Sequence, residues 1–241
     1  MDPTHSRFTQ PSAILQGDDV RIPAGVHVLE EFRRWCQQRG FPARGRIDYL
    51  QGDVEADMSP EDLYTHGTPK AAIAACLHAM AVRSARPGTV FIDCTRVVSP
   101  AAGLSVEPDV VLVFRESLAA GRVRLVPSSP PRAGRYVELE GAPDLVVEVL
   151  SDSSVSKDRE RLPELYARAG VAELWLVDAR GETPALEIRT LRPSGAYSRV
   201  PPDGGGPDAW TGSPLLGWRF RLRRHELQDP LFVYHELEVA P

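Results

Sequence analysis

The run from Leu145 to Leu150, Leu-Val-Val-Glu-Val-Leu, restricts the fold of this chain more than any other stretch. It follows Pro143 and Asp144, a turn signal, and its continuous apolar character is that of a strand buried on both faces. Glu148 stands in its middle. A carboxylate inside a buried strand has to be paired, hydrogen-bonded, protonated or bound to a metal, because a lone buried charge costs on the order of several kcal/mol. Taken alone, Glu148 fits a structural ion pair with an arginine as well as it fits a functional site.

A second stretch has the same grammar. Glu107, Pro108 and Asp109 lead into Val110, Val111, Leu112, Val113 and Phe114, so Asp109 stands at the mouth of another apolar strand. Period-two alternation puts Asp144, Val146, Glu148 and Leu150 on one face, and Asp109, Val111 and Val113 on one face of theirs. If the strands are neighbours, Asp109 and Glu148 meet. Two carboxylates that close repel unless a cation lies between them, and oxygen donors suit a hard divalent ion, Mg²⁺ or Mn²⁺. Asp109 also fits a plain turn or cap role.

At 241 residues the chain is long enough for one well-buried domain, expected over 21–222, with a mobile N-terminus (1–20) and a C-terminal tail (223–241). A charged share of 25% and a hydrophobic share of 42% are those of an ordinary globular protein, and no apolar run approaches the ~18 residues of a membrane span. With no signal-peptide pattern at the start, a cytoplasmic location is expected. Cys36, Cys76 and Cys94 lack metal-ligand spacing and read as reduced, packed thiols. A net charge of −5 argues against a dedicated nucleic-acid coat but does not exclude a nuclease. Of 28 basic residues only Lys70 and Lys157 are lysines, which leaves two candidates for any catalytic lysine.

In chain order, Val28 to Cys36 has apolar residues at helical spacing, stopped by Gly40 and Pro42. Arg46 to Leu50 and Val54 to Met58 read as a hairpin, the second strand carrying Glu55. His66 precedes an alanine-rich helix, 71–80, whose apolar all-round character implies close packing and places His78 in the core or at its rim. Residues 89–92 and 96–98 are further strands, 117–134 is a surface loop or contact arm, and 136–139 a short strand. After Ser151, Leu162, Leu165, Tyr166 and Ala169 make a helix stripe that ends at Gly170, with Pro163 marking either a kink or a first helical turn. Glu173 to Asp178 is a buried strand, which makes it parallel to 145–150 through a right-handed crossover. Segments 185–190 and 196–200 form a meander edge, and Trp218 to Leu222 a last strand.

The ordered set of Gly52, Glu55, Met58-Ser59-Pro60 and His66, then Glu107-Pro108-Asp109, then Pro143-Asp144 through Glu148 to Ser151, then Tyr166 to Gly170 and Glu173 to Asp178, resembles the Uma-two family of restriction-endonuclease-like proteins over roughly residues 25–200. That resemblance implies membership of the PD-(D/E)xK nuclease superfamily. The implied fold is an α/β, restriction-endonuclease-like mixed β-sheet flanked by α-helices, here with an N-terminal helix and hairpin. It also implies an Mg²⁺-dependent (or Mn²⁺-dependent) endonuclease acting on DNA as a homodimer, with Asp109 and Glu148 as metal ligands. The lysine departs from the family pattern. Leu150 and Leu162 fill the two slots where it is expected, and Lys157, five residues before Leu162, points about 140° away from it on a regular helix. It turns inward only if the backbone before Pro163 is not regular α-helix.

On this reading Asp109, Glu148 and Lys157 are the catalytic set, and Glu55, His66 and Arg161 the candidate substrate contacts. Arg161 is a poor replacement for the lysine, since its charge is delocalised and its proton is effectively never released. The competing class is a catalytically silent protein that keeps the nuclease fold as a binding or regulatory module. It expects Glu148 to be paired with an arginine. No phosphate-binding Gly-rich loop and no serine or cysteine nucleophile motif is present.

Overall fold

The computed structural model describes residues 11–15, 20–206, 209–227 and 232–241. Most of the segment expected to be a mobile N-terminus lies outside them. The elements in chain order are β1 (Pro11–Leu15), β2 (Val20–Pro23), α1 (Leu29–Cys36), β3 (Arg46–Leu50), β4 (Asp53–Asp57), α2 (Thr68–Arg83), β5 (Gly88–Ile92) and β6 (Arg96–Ser99). They continue with β7 (Leu104–Val106), β8 (Val110–Phe114), α3 (Arg115–Ala119), β9 (Val123–Pro127), β10 (Tyr136–Gly141), β11 (Leu145–Val149), α4 (Leu162–Ala169) and β12 (Glu173–Asp178). Last come β13 (Ala185–Leu191), β14 (Tyr197–Arg199), β15 (Thr211–Ser213), β16 (Trp218–Glu226) and β17 (Val233–Ala240).

The fold is mixed α/β, built on two six-stranded sheets with orders β4-β3-β7-β6-β10-β9 and β14-β13-β12-β11-β8-β5. In the second sheet β11 and β12 run parallel and β11 and β8 antiparallel, the arrangement the crossover through α4 requires. Every residue of β8 and β11 is buried, which is why neither shows polar alternation. One face of that sheet, with Val110, Leu112, Val147 and Trp175, packs on Ile73 and Leu77 of α2 and on Phe220 and Leu237 of β16 and β17. The other face, with Val111, Val113 and Val146, packs on the first sheet and on Leu162, Leu165 and Tyr166 of α4. A second sheet thus covers much of the area where helices were expected.

Two aspartates lock the β8–β11 register from opposite ends. The Val149 N–H donates to Asp109 Oδ2 at 2.6 Å, and the Phe114 N–H donates to Asp144 Oδ2 at 2.8 Å. Asp144 also accepts from the Ser117 hydroxyl at 2.7 Å. It is a latch at the far end of the strand pair, not a companion of Glu148. Glu173 at the start of β12 plays a similar part for the C-terminal sheet, accepting from the indole of Trp175, the Ser213 hydroxyl and the Leu215 N–H.

Three expectations are corrected. The stretch 117–134 is not one loop, because its valines and leucine pair with β10 as strand β9 after the short helix α3. Helix α2 is packed on one side only: Ile73, Leu77 and Ala81 are buried while Ala71, Ala75, His78 and Val82 face solvent. Alanine methyls make a helix apolar all round at little cost of exposure, so uniform composition did not mean uniform burial. The strand opening at Trp218 runs on to Glu226 and pairs with β17, so the boundary placed at 222 falls inside it.

Replacing Asp144 by alanine leaves the Phe114 N–H and the Ser117 hydroxyl unpaired in a dry site, and a loss of about 2–4 kcal/mol in urea unfolding is expected. Asp144→Asn keeps an acceptor for the backbone and loses less than half of that. Equal losses in the two variants would contradict the latch.

Candidate active site

The β8–β11 pairing sets Leu145 opposite Leu112, Val146 opposite Val111 and Val147 opposite Val110. One further step along that register puts Asp109 opposite Glu148, and both are buried. Directly opposed residues of an antiparallel pair share a face. The two acids therefore meet as the alternation indicated, on the face turned to the first sheet.

Asp109 carries three contacts. Besides the Val149 N–H it accepts from Arg46 Nη2 at 2.6 Å, and His66 Nε2 lies 3.5 Å from its Oδ2. Burial opposes its charge, yet Arg46, His66 and the Val149 amide hold its carboxyl well below the usual carboxylate range. Glu148 is in the reverse state. Burial, reinforced by the neighbouring Asp109 and Asp158 carboxylates, raises it well above the carboxylate range, and Tyr166 donates its phenolic hydrogen to Glu148 Oε1. The arginine partner that a silent module expects on Glu148 is on Asp109 instead.

Lys157 reaches the same place because its backbone is not α-helical. Residues Lys157–Arg161 form a π-helical turn, and the Leu162 N–H donates to the Lys157 carbonyl five residues back. Bonds of that span stack residues five apart, so Lys157 faces the side on which Leu162 is buried. Pro163 in the first turn of α4 supports the switch, since it has no N–H to offer the regular ladder. Lys157 Nζ donates to Asp48 Oδ2 at 2.9 Å, and Asp48 Oδ1 accepts from the Glu107 N–H at 3.1 Å. Desolvation pulls the lysine down, but Asp48, Asp158 and Glu148 outweigh it and keep the ammonium charged. Asp158, buried beside them, is pushed up to about 6 by desolvation, and its Oδ1 has no hydrogen-bond partner among the described residues.

A second π-helical turn, Leu63–Gly67, is capped by the Asp62 carboxylate on the Tyr64 and Thr65 N–H groups and turns His66 into the interior. His66 Nδ1 lies 3.3 Å from Glu61 Oε2. Lys70, the other lysine of the chain, donates to Glu61 and to Asp93, both at 2.7 Å. Glu61, His66, Asp93 and Lys157 line a cleft of 360 Å³ with Arg44, Arg46, Glu107, Ser151 and Ser154; Asp109 and Glu148, both buried, are not among its lining residues. A larger apolar groove of 490 Å³, lined by Leu77, Met80, Phe114 and Trp218, lies against the opposite face of the sheet and holds none of the candidate residues.

The structure thus brings together Asp109, Glu148, Lys157 and His66. Glu55 and Arg161 also come together, but with each other: Arg161 pairs with Glu55 and, at 3.0 Å, with Asp53. They stand outside the residues lining the cleft. Sequence reasoning missed Asp48, Glu61, Arg46 and Tyr166. Asp48 was within reach of the argument used for Glu148, as an acid between Ile47 and Tyr49 in an apolar strand. Tyr166 was placed in the helix stripe without asking where its hydroxyl goes.

For a metal, the donor set is hard. One ligand atom each from Glu61, His66 and Asp109 lies within 4.8 Å of the others, and Asp109 is shared with the Asp109–Glu148 pair. Carboxylate oxygens with at most one imidazole fit Mg²⁺ or Mn²⁺ better than a thiophilic ion.

Burial opposes a charge on His66, but Asp109 and Glu61 overcome it and raise its pKa to about 9. A raised base stabilises the fold below its unfolded pKa of ~6.5 and loses that contribution as pH rises through the folded value. In chelator, the wild-type protein should lose up to about 3 kcal/mol between pH 6.5 and 9.5. His66→Gln should flatten that slope in pH-dependent urea unfolding. An unchanged slope would show that His66 is not the titrating group.

A family model described as "Uma2: Putative restriction endonuclease" matches residues 29–223. Among solved structures, a "putative nuclease belonging to DUF820" from Anabaena variabilis is 17% identical and superposes with a TM-score of 0.52, covering 79% of this chain and 90% of its own. At that identity the likeness concerns the fold. No curated protein matches. No helix among the described residues is long and apolar enough to cross a membrane.

Proposed function

The chain belongs to the Uma2 family, and from that premise we propose that it is a metal-dependent endonuclease hydrolysing phosphodiester bonds of DNA. The observation that carries the reading is the convergence of Asp109, Glu148 and Lys157 from two strands and a π-helical turn on one end of the central sheet. Asp109 and Glu148 would hold Mg²⁺ or Mn²⁺, and Asp109 also belongs to the group with Glu61 and His66, of which Glu148 is not a member. A bound divalent ion supplies charge for a phosphate oxygen and acidity to a water molecule.

The remaining roles belong to side chains. Lys157, held charged and aimed by Asp48, donates to the attacking water or to a phosphate oxygen and does not act as a base. Tyr166 donates to one Glu148 oxygen and so fixes the direction of that carboxyl group. Arg46 pairs with Asp109 in this structure, and its guanidinium would be free for a phosphate oxygen were that carboxylate taken by a metal. As a metal ligand Glu148 would have to be ionised, against the burial that favours its protonated form.

Arg46 is also the observation that favours a second reading, a silent module of this fold, since a guanidinium already satisfies the acid a metal needs. The two separate cleanly. Calorimetry on a nuclease shows Mn²⁺ or Mg²⁺ binding that disappears in Glu148→Gln and Asp109→Asn, and cleavage of DNA falls by about 10²–10³-fold or more in each. Asparagine at 109 keeps an acceptor for the Val149 N–H, so the strand pair stays in place. Metal-dependent cleavage that survives both substitutions refutes the site, and a wild type that neither binds metal nor cuts DNA supports the silent module.

A further inference from the structure

The hairpin joining β9 to β10 has no part in the site described above, and its charge is unlike that of the rest of the chain. From Ser117 to Val137 there are four arginines and no acid, in a protein whose net charge is −5. Arg124 pairs with Glu140. Arg132 and Arg135 have no ion-pair partner among the described residues, and neither does Arg44 on the cleft wall. Residues 129–137 are all exposed, with Tyr136 55% and Val137 41% accessible.

The pairing places this tip beside the cleft. β10 runs parallel to β6, with Glu138 opposite Arg96 and Leu139 opposite Val97. The two strands start at the same end of the pair, β10 at Tyr136 and β6 at Arg96, and Cys94, just before β6, lines the cleft. β6 is bonded to β7, whose chain continues through Glu107 to Asp109. Strands are spaced about 4.8 Å apart, so β10 lies about 10 Å from β7, and the tip rises beyond it at the same end of the sheet. Pro127, Pro130 and Pro131 limit the conformations of the loop, which lowers the entropy lost when it engages a ligand.

We propose that the hairpin Pro127–Tyr136 is the arm that holds the substrate strand beyond the cleft, Arg132 and Arg135 on phosphate oxygens and the Tyr136 ring against an unpaired base. The inference rests on the nuclease reading for the identity of the polyanion. Charge complementarity selects the occupant: unpaired guanidiniums around an exposed aromatic ring fit a sugar–phosphate backbone with a base stacked on it. A second copy of this acidic chain would have to cover the same arginines with its own carboxylates, and beside Tyr136 only Leu125 and Val137 are exposed large apolar side chains on the hairpin to join it there.

The test separates binding from cutting. Fluorescence anisotropy with a labelled single-stranded oligonucleotide and its duplex, in chelator, reads arm contacts that need no metal. The Arg132→Ala/Arg135→Ala variant should bind the single strand about tenfold more weakly at low salt, with a salt slope shallower by about 1.4 for two lost phosphate contacts. Tyr136→Ala should weaken the single strand about tenfold and the duplex far less, while Tyr136→Phe restores it. Because the substituted residues are exposed, the thermal midpoint should not move. Unchanged affinity and slope overturn the arm, as does a wild type that binds neither oligonucleotide. A Val137→Glu change that alters the sedimenting mass while oligonucleotide affinity holds would reassign the hairpin to a second copy. Metal-dependent cleavage and its loss in Asp109→Asn are measured independently, so the arm can fail while the nuclease stands.

Discussion

The paired contacts of Asp109 with the Val149 N–H and of Asp144 with the Phe114 N–H are what the rest of the molecule depends on. An antiparallel pair that slips by one residue turns every side chain to the other face. In β8 and β11 both faces are apolar, so hydrophobic pattern alone would not resist that slip. A carboxylate at each end, taking the one amide that the correct register presents, does. Asp109 therefore has two duties: one oxygen fixes the strands, and the other, on Arg46, faces the groups of the cleft.

Around that point the structure alternates charges. Asp48 holds Lys157, Asp109 holds Arg46 with His66 close by, and Glu61 and Asp93 hold Lys70. Each buried charge has a partner, as the cost of burying it alone demands. Glu148 and Asp158 have no such cation of their own and are instead held towards the protonated form. Two buried carboxyl groups are thus left without an ion-pair partner among the described residues, and this distinguishes the cluster from an ordinary network of surface ion pairs.

The central β–α–β unit and the positions of Asp109 and Glu148 were legible because they rest on rules of short range: apolar runs, a period of two, proline at strand entry. What was not legible depended on distance or on phase. The two-sheet architecture arises from pairings such as β10 with β6, more than forty residues apart, which no local pattern encodes. The inward turn of Lys157 follows from a single widened helical turn, and sequence marks that only through the proline six residues later. Glu55 and Arg161 were attractive as separate charges and turn out to satisfy each other. Such pairing is invisible until the hairpin and the helix are brought together.

The near absence of lysine has a chemical consequence. Of the two lysines of the chain, Lys70 is buried on Glu61 and Lys157 is half-buried on Asp48 at the cleft wall, while the cations of the outer surface are arginines. An acylating reagent selective for amines would find no side-chain target on the outside of this protein. Apart from the terminal amine, the reaction reports on Lys157 at the cleft wall, and so on what lies in the cleft.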